Sequence, residues 1–210
     1  MKSKLAALAI LLCAETPAMA HRLDEYLQAT LISVEKNRVQ VQIRLVPGVA
    51  VLPVVLGSID GNIDIDADEA ISENEQRGYV ERVLRDLSLA VDGDRLPLRL
   101  VSMRFPKVAE MKQGLGEIQL AFDTAVPAGG RKRKLIFQNH HQPLIAAYLV
   151  NCLVPQDPDI RITAQNRDYL QSFYELDYTQ AGGHPASVVF GWLGMLALVL
   201  SARLAFLWRR

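Results

Sequence analysis

The stretch Arg38-Val39-Gln40-Val41-Gln42-Ile43-Arg44-Leu45-Val46 alternates polar and apolar side chains without a break. A period of two over this length predicts a β-strand with one face buried and the other in water. The apolar-rich run Tyr26–Val34 precedes it, separated by the polar Glu35-Lys36-Asn37. The two segments therefore predict a β-hairpin, which Pro47-Gly48 brings to an end.

Further segments continue the β pattern along most of the chain. Asp92-Gly93-Asp94 is a turn signal between the first two of them, and residues 49–58 instead predict a short buried helix. Short strands at this spacing predict a mainly β fold, an antiparallel β-sandwich. The predicted strands are residues 88–91, 96–105, 117–122, 134–139, 148–154, 160–164 and 173–178.

The start of the chain has the pattern of a secretory signal peptide. Lys2 and Lys4 precede an apolar stretch over residues 5–12, and Ala18-Met19-Ala20 fits a cleavage site. Residues 1–20 are therefore expected to be removed, so that the mature protein begins at His21. An extracytoplasmic domain would then occupy residues 21–180.

The other end of the chain predicts one transmembrane helix. Residues 186–208 are almost entirely apolar, and 23 residues at 1.5 Å each give about 34 Å, enough to span a bilayer. Residues 181–185 form a linker, and residues 209–210 are a basic tail that favours the cytoplasm. We expect a single-pass protein of the bacterial inner membrane, with its main domain in the periplasm.

Composition argues against several functions. The 23 basic and 23 acidic residues give a formal net charge of zero, so nucleic acid is not an expected partner. No catalytic fingerprint is present, and we expect no enzyme. Cys152 would be the single cysteine of the mature chain, which excludes an intrachain disulfide. The membrane and an unidentified protein remain as expected partners.

An acidic stretch carries the most specific chemical signal. Residues 64–75 place oxygen-bearing residues where an EF-hand loop needs them, at positions 1, 3, 5, 7, 9 and 12. Ca²⁺ prefers many oxygen ligands, and alternate residues of a tight loop supply them. The predicted ligands are Asp64, Asp66, Asp68, Ala70 through its backbone, Ser72 and Glu75.

Two features of this stretch limit the calcium interpretation. Position 6, usually Gly because the turn needs a positive φ, is Glu69, which predicts weak affinity. Ser72 and Glu75 also form a capping-box pattern ahead of an amphipathic helix predicted at residues 73–87. A vestigial loop that binds no calcium, in an accessory or interaction protein, is the alternative for this helical insertion at residues 60–87.

A transition-metal site is a second alternative. The α-amine and imidazole of His21 could together chelate copper or nickel, if a second histidine completed the site. His140 and His141 are the candidates, in the polar sequence Asn139-His140-His141-Gln142. The competing interpretation is that this sequence is only the polar end of a strand.

The opening His21-Arg22-Leu23-Asp24-Glu25-Tyr26-Leu27-Gln28-Ala29-Thr30 resembles that of a group of bacterial exported, membrane-anchored proteins with an EF-hand-like loop. Further blocks that carry the resemblance lie at residues 135–141, 148–151 and 168–171. Similar outer domains precede the polytopic regions of hydrogenase- and urease-accessory membrane proteins, which are linked to nickel uptake. The resemblance implies a hairpin, the loop and further strands; because this chain has no polytopic region, it does not imply transport.

Overall fold

A computed structural model describes residues 24–60 and 71–181 of the 210-residue chain. This part of the chain is mainly β, with two five-stranded sheets and three helices. The helices are α1 (Leu52–Asp60), α2 (Glu73–Asp86) and α3 (Val108–Lys112). The strands are β1 (Tyr26–Val34), β2 (Arg38–Pro47), β3 (Leu87–Val91), β4 (Asp94–Arg95), β5 (Arg99–Arg104), β6 (Ile118–Ala125), β7 (Lys132–Asn139), β8 (Ala146–Cys152), β9 (Ile160–Arg167) and β10 (Phe173–Gln180).

The first sheet has the strand order β5-β6-β2-β1-β8, and the second has the order β4-β3-β7-β10-β9. Neighbouring strands are antiparallel except β1 and β8, which are parallel. The sequence predicts a wholly antiparallel sandwich, and this prediction is wrong for the pair β1 and β8. The chain crosses from β7 to β8 between the sheets, and Tyr26 N–H donates to the carbonyl of Ile145 at 2.7 Å, which aligns the two strand starts.

Alternating side chains from both sheets form one hydrophobic core. Every second residue of β1 and of β10 is buried, as the two-residue period of a strand requires. Aromatic side chains from both sheets, such as Phe122 of β6 and Tyr174 of β10, are almost fully buried. Burial of one such side chain stabilises the fold by about 1.5–3 kcal/mol.

The predicted hairpin is confirmed, since β1 and β2 pair directly across the turn with Val34 opposite Val39. The predicted amphipathic helix is confirmed as α2, which buries Tyr79, Val80 and Val83. Helix α1 lies where a short helix is predicted. The sequence did not indicate α3, whose five residues are too short for a periodic pattern.

The basic run at residues 131–134 is partly buried. Consecutive basic residues usually form a solvated loop, but Lys132 begins strand β7 and Arg133 points inward, with only 5% of its surface exposed. The Arg133 guanidinium donates to Asp92 Oδ2 at 2.5 Å and to the Pro127 carbonyl at 3.1 Å.

Asp92 belongs to the tight turn between β3 and β4. Asp92 and Gly93 have φ angles of 55° and 93°, the left-handed pair that a type I′ hairpin turn requires. The Asp92 carboxylate also accepts a hydrogen bond from Lys134 N–H at 2.8 Å. The predicted turn is thus confirmed, and its first residue also neutralises a buried cation.

Strand β8 is an edge strand whose outer backbone is occupied by side chains from the β9–β10 region. Val150 N–H donates to Gln171 Oε1 at 3.4 Å, and the Val150 carbonyl accepts from Arg167 Nε at 2.8 Å. Arg167 also donates to Asn151 Oδ1 at 2.5 Å. These contacts join the edges of the two sheets.

Several predictions concern residues outside the described part of the chain. The signal peptide at residues 1–20, the first seven loop residues at 64–70 and the transmembrane helix at residues 186–208 all do so. Within residues 24–60 and 71–181, no helix has the length and apolar character needed to cross a membrane.

Candidate functional site

The described end of the predicted calcium loop is a capped helix start. Ser72 is the N-cap of α2, and its Oγ accepts a hydrogen bond from Glu75 N–H at 3.3 Å. The Glu75 carboxylate accepts in return from Ser72 N–H at 2.6 Å. Both contacts satisfy backbone donors that the first turn of a helix leaves unpaired.

This arrangement supports the structural interpretation of Ser72 and Glu75, because both have partners without a cation. It does not exclude the calcium interpretation, since a carboxylate offers about four lone-pair sites and Ser72 N–H uses one. Asp64, Asp66, Asp68 and Ala70 lie outside the described residues. Over residues 24–60 and 71–181, no group of three or more His, Cys, Asp or Glu side chains could hold a metal ion.

The ends of the acidic segment are held together by described contacts. Arg82 of α2 donates from Nη2 to the carbonyl of Ile59, in the last turn of α1, at 2.9 Å. Ile59 is 3% exposed, so this carbonyl belongs to a well-packed helix end. Gln76 Nε2 donates to the Ile71 carbonyl at 2.8 Å. The segment between the two helices therefore starts and finishes at fixed points.

The two histidines of the transition-metal hypothesis have different environments. His140 is exposed, whereas His141 is 3% exposed and both of its ring nitrogens have hydrogen-bond partners. In this arrangement both ring nitrogens of His141 are occupied by hydrogen bonds, so neither has a lone pair for a metal. The imidazoles of His140 and His141 therefore do not form a two-histidine metal site. His21 lies outside the described residues, so its copper or nickel site stays a prediction.

His141 instead belongs to a buried chain of polar side chains. Its Nδ1 lies 2.7 Å from Asp86 Oδ2, and its Nε2 lies 3.1 Å from the Tyr79 hydroxyl. The Tyr79 hydroxyl in turn contacts the Tyr26 hydroxyl. The aromatic rings of Tyr26 and Tyr79 both meet the imidazole edge-on. We call Asp86, His141, Tyr79 and Tyr26 the relay.

One set of proton positions satisfies every member of the relay. Tyr26 donates to Tyr79, Tyr79 donates to His141 Nε2, and His141 Nδ1–H donates to the Asp86 carboxylate. Burial lowers the pKa of His141, although the Asp86 carboxylate opposes this shift. Burial raises the pKa of Tyr26 and of Tyr79. The imidazole and both phenols are therefore neutral at pH 7.

The backbone around His141 is fixed by a second set of contacts. Its carbonyl accepts from Gln28 Nε2 at 2.8 Å and from the Tyr148 hydroxyl at 2.9 Å. Its N–H donates to Asn139 Oδ1 at 2.9 Å, and Asn139 Nδ2 donates to Gln28 Oε1 at 2.9 Å. Buried polar groups are costly unless paired, and each of these groups has a hydrogen-bond partner.

The relay joins the helical insertion to the first sheet directly and to the second sheet through Asn139, which contacts His141. Tyr79 and Asp86 lie on α2, Tyr26 lies on β1 of the first sheet, and Asn139 lies on β7 of the second. Tyr26 and Tyr79 are 0% exposed, so no substrate can reach their hydroxyls. The arrangement holds α2 against the sheets.

Sequence reasoning treated residues 139–142 as a polar strand end and missed this cluster. The sequence did contain an indication of it. Leu135 and Phe137 point inward from alternate positions of the strand, and Asn139 and His141 occupy the next two alternate positions, so they also point into the core. Gln28 likewise shares the inward face of β1 with Tyr26. Cys152 is partly buried and free, and desolvation raises its thiol pKa to about 11.

Comparison with models of known protein families gives no match, and comparison with curated proteins gives no significant match. The resemblance to bacterial exported, membrane-anchored proteins therefore stays a prediction from the residues that suggested it.

Proposed function

We propose that this chain is a membrane-tethered extracytoplasmic module whose acidic loop binds Ca²⁺ weakly, with a structural or interaction role and no catalysis. The observation that carries the proposal is the described start of α2. The helix begins directly after Ser72, at the ninth position of the loop pattern, as the exit helix of an EF-hand loop must.

Two structural features support a role for the loop in rigidity. The Arg82 contact to Ile59 holds the two flanking helices together, so a cation between them would close a segment whose ends are already near. The relay then transmits the position of α2 to strand β1 through Tyr79 and Tyr26. Calcium would act by ordering the insertion against the sheets.

The charge pattern of the loop gives the cation its role. Asp64, Asp66 and Asp68 alternate over five residues, and three like charges at this spacing oppose a tight turn unless a cation neutralises them. Glu69 at the glycine position would cost about 1–2 kcal/mol in a left-handed conformation. Affinity near the weak range of extracellular modules, ~10⁻⁴–10⁻³ M, is therefore expected.

Thermal unfolding and calorimetry of the full chain in detergent test the proposal. With about 5 mM Ca²⁺, a site in that affinity range stabilises the fold by about 1–2 kcal/mol. At ~2–4 °C per kcal/mol, the melting temperature rises by about 2–8 °C. The double variant Asp66→Asn, Asp68→Asn should lose this response.

The matched control replaces two exposed aspartates outside the loop, Asp24→Asn and Asp94→Asn, and should keep the full response to Ca²⁺. Absence of both binding heat and stabilisation in the unmodified chain would end the calcium proposal.

The capping box favours a second candidate, an accessory or interaction protein with a vestigial loop. Ser72 and Glu75 satisfy each other without any ion. In that case Asp66→Asn, Asp68→Asn leaves the stability without calcium unchanged or raises it, because it only removes repulsion between like charges. The two candidates thus differ in the response to Ca²⁺: the first gives a response that this variant loses, and the second gives none even in the unmodified chain.

A further inference from the structure

The described chain ends at one pole of the domain, and three loops meet there. Ala181 N–H donates to the Asp159 carbonyl at 2.7 Å, and Gln180 N–H donates to the Arg131 carbonyl at 2.8 Å. Lys36, in the β1–β2 turn, pairs with Asp159 at 3.5 Å. We call this end, formed by residues 35–37, 127–132 and 153–161, the exit pole.

The exit pole carries cations that no acidic side chain neutralises. Arg131, Lys132 and Arg161 are exposed and have no ion pair within the described part of the chain. The other cations nearby have partners, since Arg38 pairs with Glu35 at 3.0 Å and Arg133 pairs with Asp92.

The acids of the exit pole do not cancel this charge. Asp159 is paired with Lys36, and Asp157 Oδ1 accepts a hydrogen bond from Asp159 N–H at 2.9 Å. Asp157 has no cationic partner among the described residues and offsets only one of the three cations. The pole therefore keeps an excess of positive charge on a chain whose formal net charge is zero.

Apolar side chains project from the same pole. Val154 is 86% exposed and Leu153 is 44% exposed, just beyond the end of β8. The Leu153 N–H donates to the Ile32 carbonyl at 2.8 Å, which fixes this segment beside β1. Exposed apolar residues beside basic ones are typical of a surface that rests at the headgroup level of a bilayer.

The length of the following chain decides what this surface faces. The predicted membrane helix starts at Ala186, five residues after Ala181, and five residues span at most about 18 Å. Tethering at this distance gives a high effective concentration at the lipid surface, so individually weak contacts suffice. Each basic residue near an anionic leaflet adds to the attraction between the domain and the lipid surface.

We propose that the exit pole lies on the anionic outer leaflet of the membrane, with Arg131, Lys132 and Arg161 at the lipid headgroups and Val154 in the interfacial region. This inference rests on the membrane anchor of the proposed function. Strand β1 ends at the pole, and Tyr26 at its start lies nine residues, about 30 Å, back along the strand, so Tyr26 and helix α2 would face away from the lipid.

Amide hydrogen exchange on the full chain in nanodiscs tests this orientation. One set of discs contains phosphatidylcholine alone, and the other adds about 30% phosphatidylglycerol, which supplies the negative charge that basic residues need. Exchange at residues 153–161 should slow about threefold or more in the anionic discs. Residues 140–146, at the opposite end, should exchange equally in both.

The triple variant Arg131→Gln, Lys132→Gln, Arg161→Gln should abolish the difference between the two lipids. A matched control, Arg85→Gln, Arg104→Gln, Lys107→Gln, removes three exposed cations elsewhere and should keep it. Equal exchange in both disc types for the unmodified chain would overturn the orientation.

A flotation experiment separates this failure from failure of the anchor. If the chain floats with vesicles after an alkaline wash but its exit pole shows no protection, the orientation alone is wrong. If the chain does not float, the anchor and the orientation are both wrong.

Discussion

At the scale of single residues, the most constrained part of the described structure is the relay. Tyr26, Tyr79 and His141 are buried, Asp86 is partly exposed, and each hydroxyl or ring nitrogen has one defined role as donor or acceptor. Removing one group therefore has different consequences at different positions. A group in the middle leaves two partners unsatisfied, whereas the group at the start leaves one.

Tyr79→Phe should destabilise the domain more than Tyr26→Phe. The first change leaves His141 Nε2 without a donor and Tyr26 without an acceptor, at a cost of about 2–4 kcal/mol for the two groups. The second removes only the donor to Tyr79 and should cost about 0.5–1.5 kcal/mol. Urea unfolding gives both free energies, and Tyr169→Phe, at a 99% exposed position, is the control. Equal losses would contradict the assigned donor order.

His141 should make stability depend on pH. Because burial lowers its pKa in the folded state, the unfolded chain binds the proton more tightly, and stability rises with pH. The loss begins as pH falls through about 6.5, the unfolded value, and approaches about 1.4 kcal/mol per pH unit until the folded pKa is reached.

Urea unfolding between pH 8 and pH 5 measures this slope. His141→Gln should flatten it, while His140→Gln, at an exposed position, should leave it unchanged. A slope that survives His141→Gln would assign the titration to another group.

At the scale of elements, local pattern explains the strands and helices better than it explains their partners. The alternation of residues 38–46 and the apolar face of α2 were sufficient to predict both elements, because periodicity reports which side is buried. Arg133 could not be placed from its residue type, because its charge indicates the surface whereas the alternation that it shares with Leu135 indicates the core. Helix α3 is too short for a helical period to be recognised in the sequence.

The candidate site was predictable only where its contacts are local. The Ser72 and Glu75 capping box follows from a spacing of three residues. The relay and its surroundings depend on pairs such as Gln28 and Asn139, which are 111 positions apart. The pairing of β1 with β8 could not be predicted for the same reason, because alternation shows which face of a strand is buried but not which strand lies beside it.

The Asp92 turn offers a matched test at this scale. Asp92→Asn keeps the left-handed turn and an acceptor for Lys134 N–H, but it removes the charge opposite buried Arg133. Because the Asp92 side chain is 36% exposed, the expected loss is about 1–3 kcal/mol, less than for a fully buried pair. Chemical denaturation measures it, and Asp94→Asn in the same turn should change stability by under about 0.5 kcal/mol.

At the scale of the whole molecule, side chains cover the exposed edge of the first sheet at β8. Arg167 and Gln171 occupy the outer backbone of β8, where an exposed edge strand would otherwise present unpaired groups to other chains. Leu149 and Leu170 lie exposed beside this edge. The side-chain contacts to Val150 are therefore the barrier between a single chain and edge-to-edge association.

Arg167→Ala, Gln171→Ala should increase self-association of the chain in detergent. The change frees the Val150 N–H and carbonyl while it leaves the core untouched. Sedimentation over a range of protein concentrations should detect dimers or larger species that the unmodified chain does not form. Arg104→Ala, Gln113→Ala, at two exposed positions outside β8, β9 and β10, is the control, and equal association in both variants would locate the effect elsewhere.

The parallel pairing of β1 with β8 also determines when the first sheet can be completed during synthesis. A ribosome completes Tyr26 long before its partner Ala146, and 120 residues at about 5–20 residues per second take roughly 6–24 s. Throughout that interval the first strand of the domain has only β2 beside it. Chaperones or the export machinery would therefore meet a growing chain whose first sheet cannot close until most of the domain has been made.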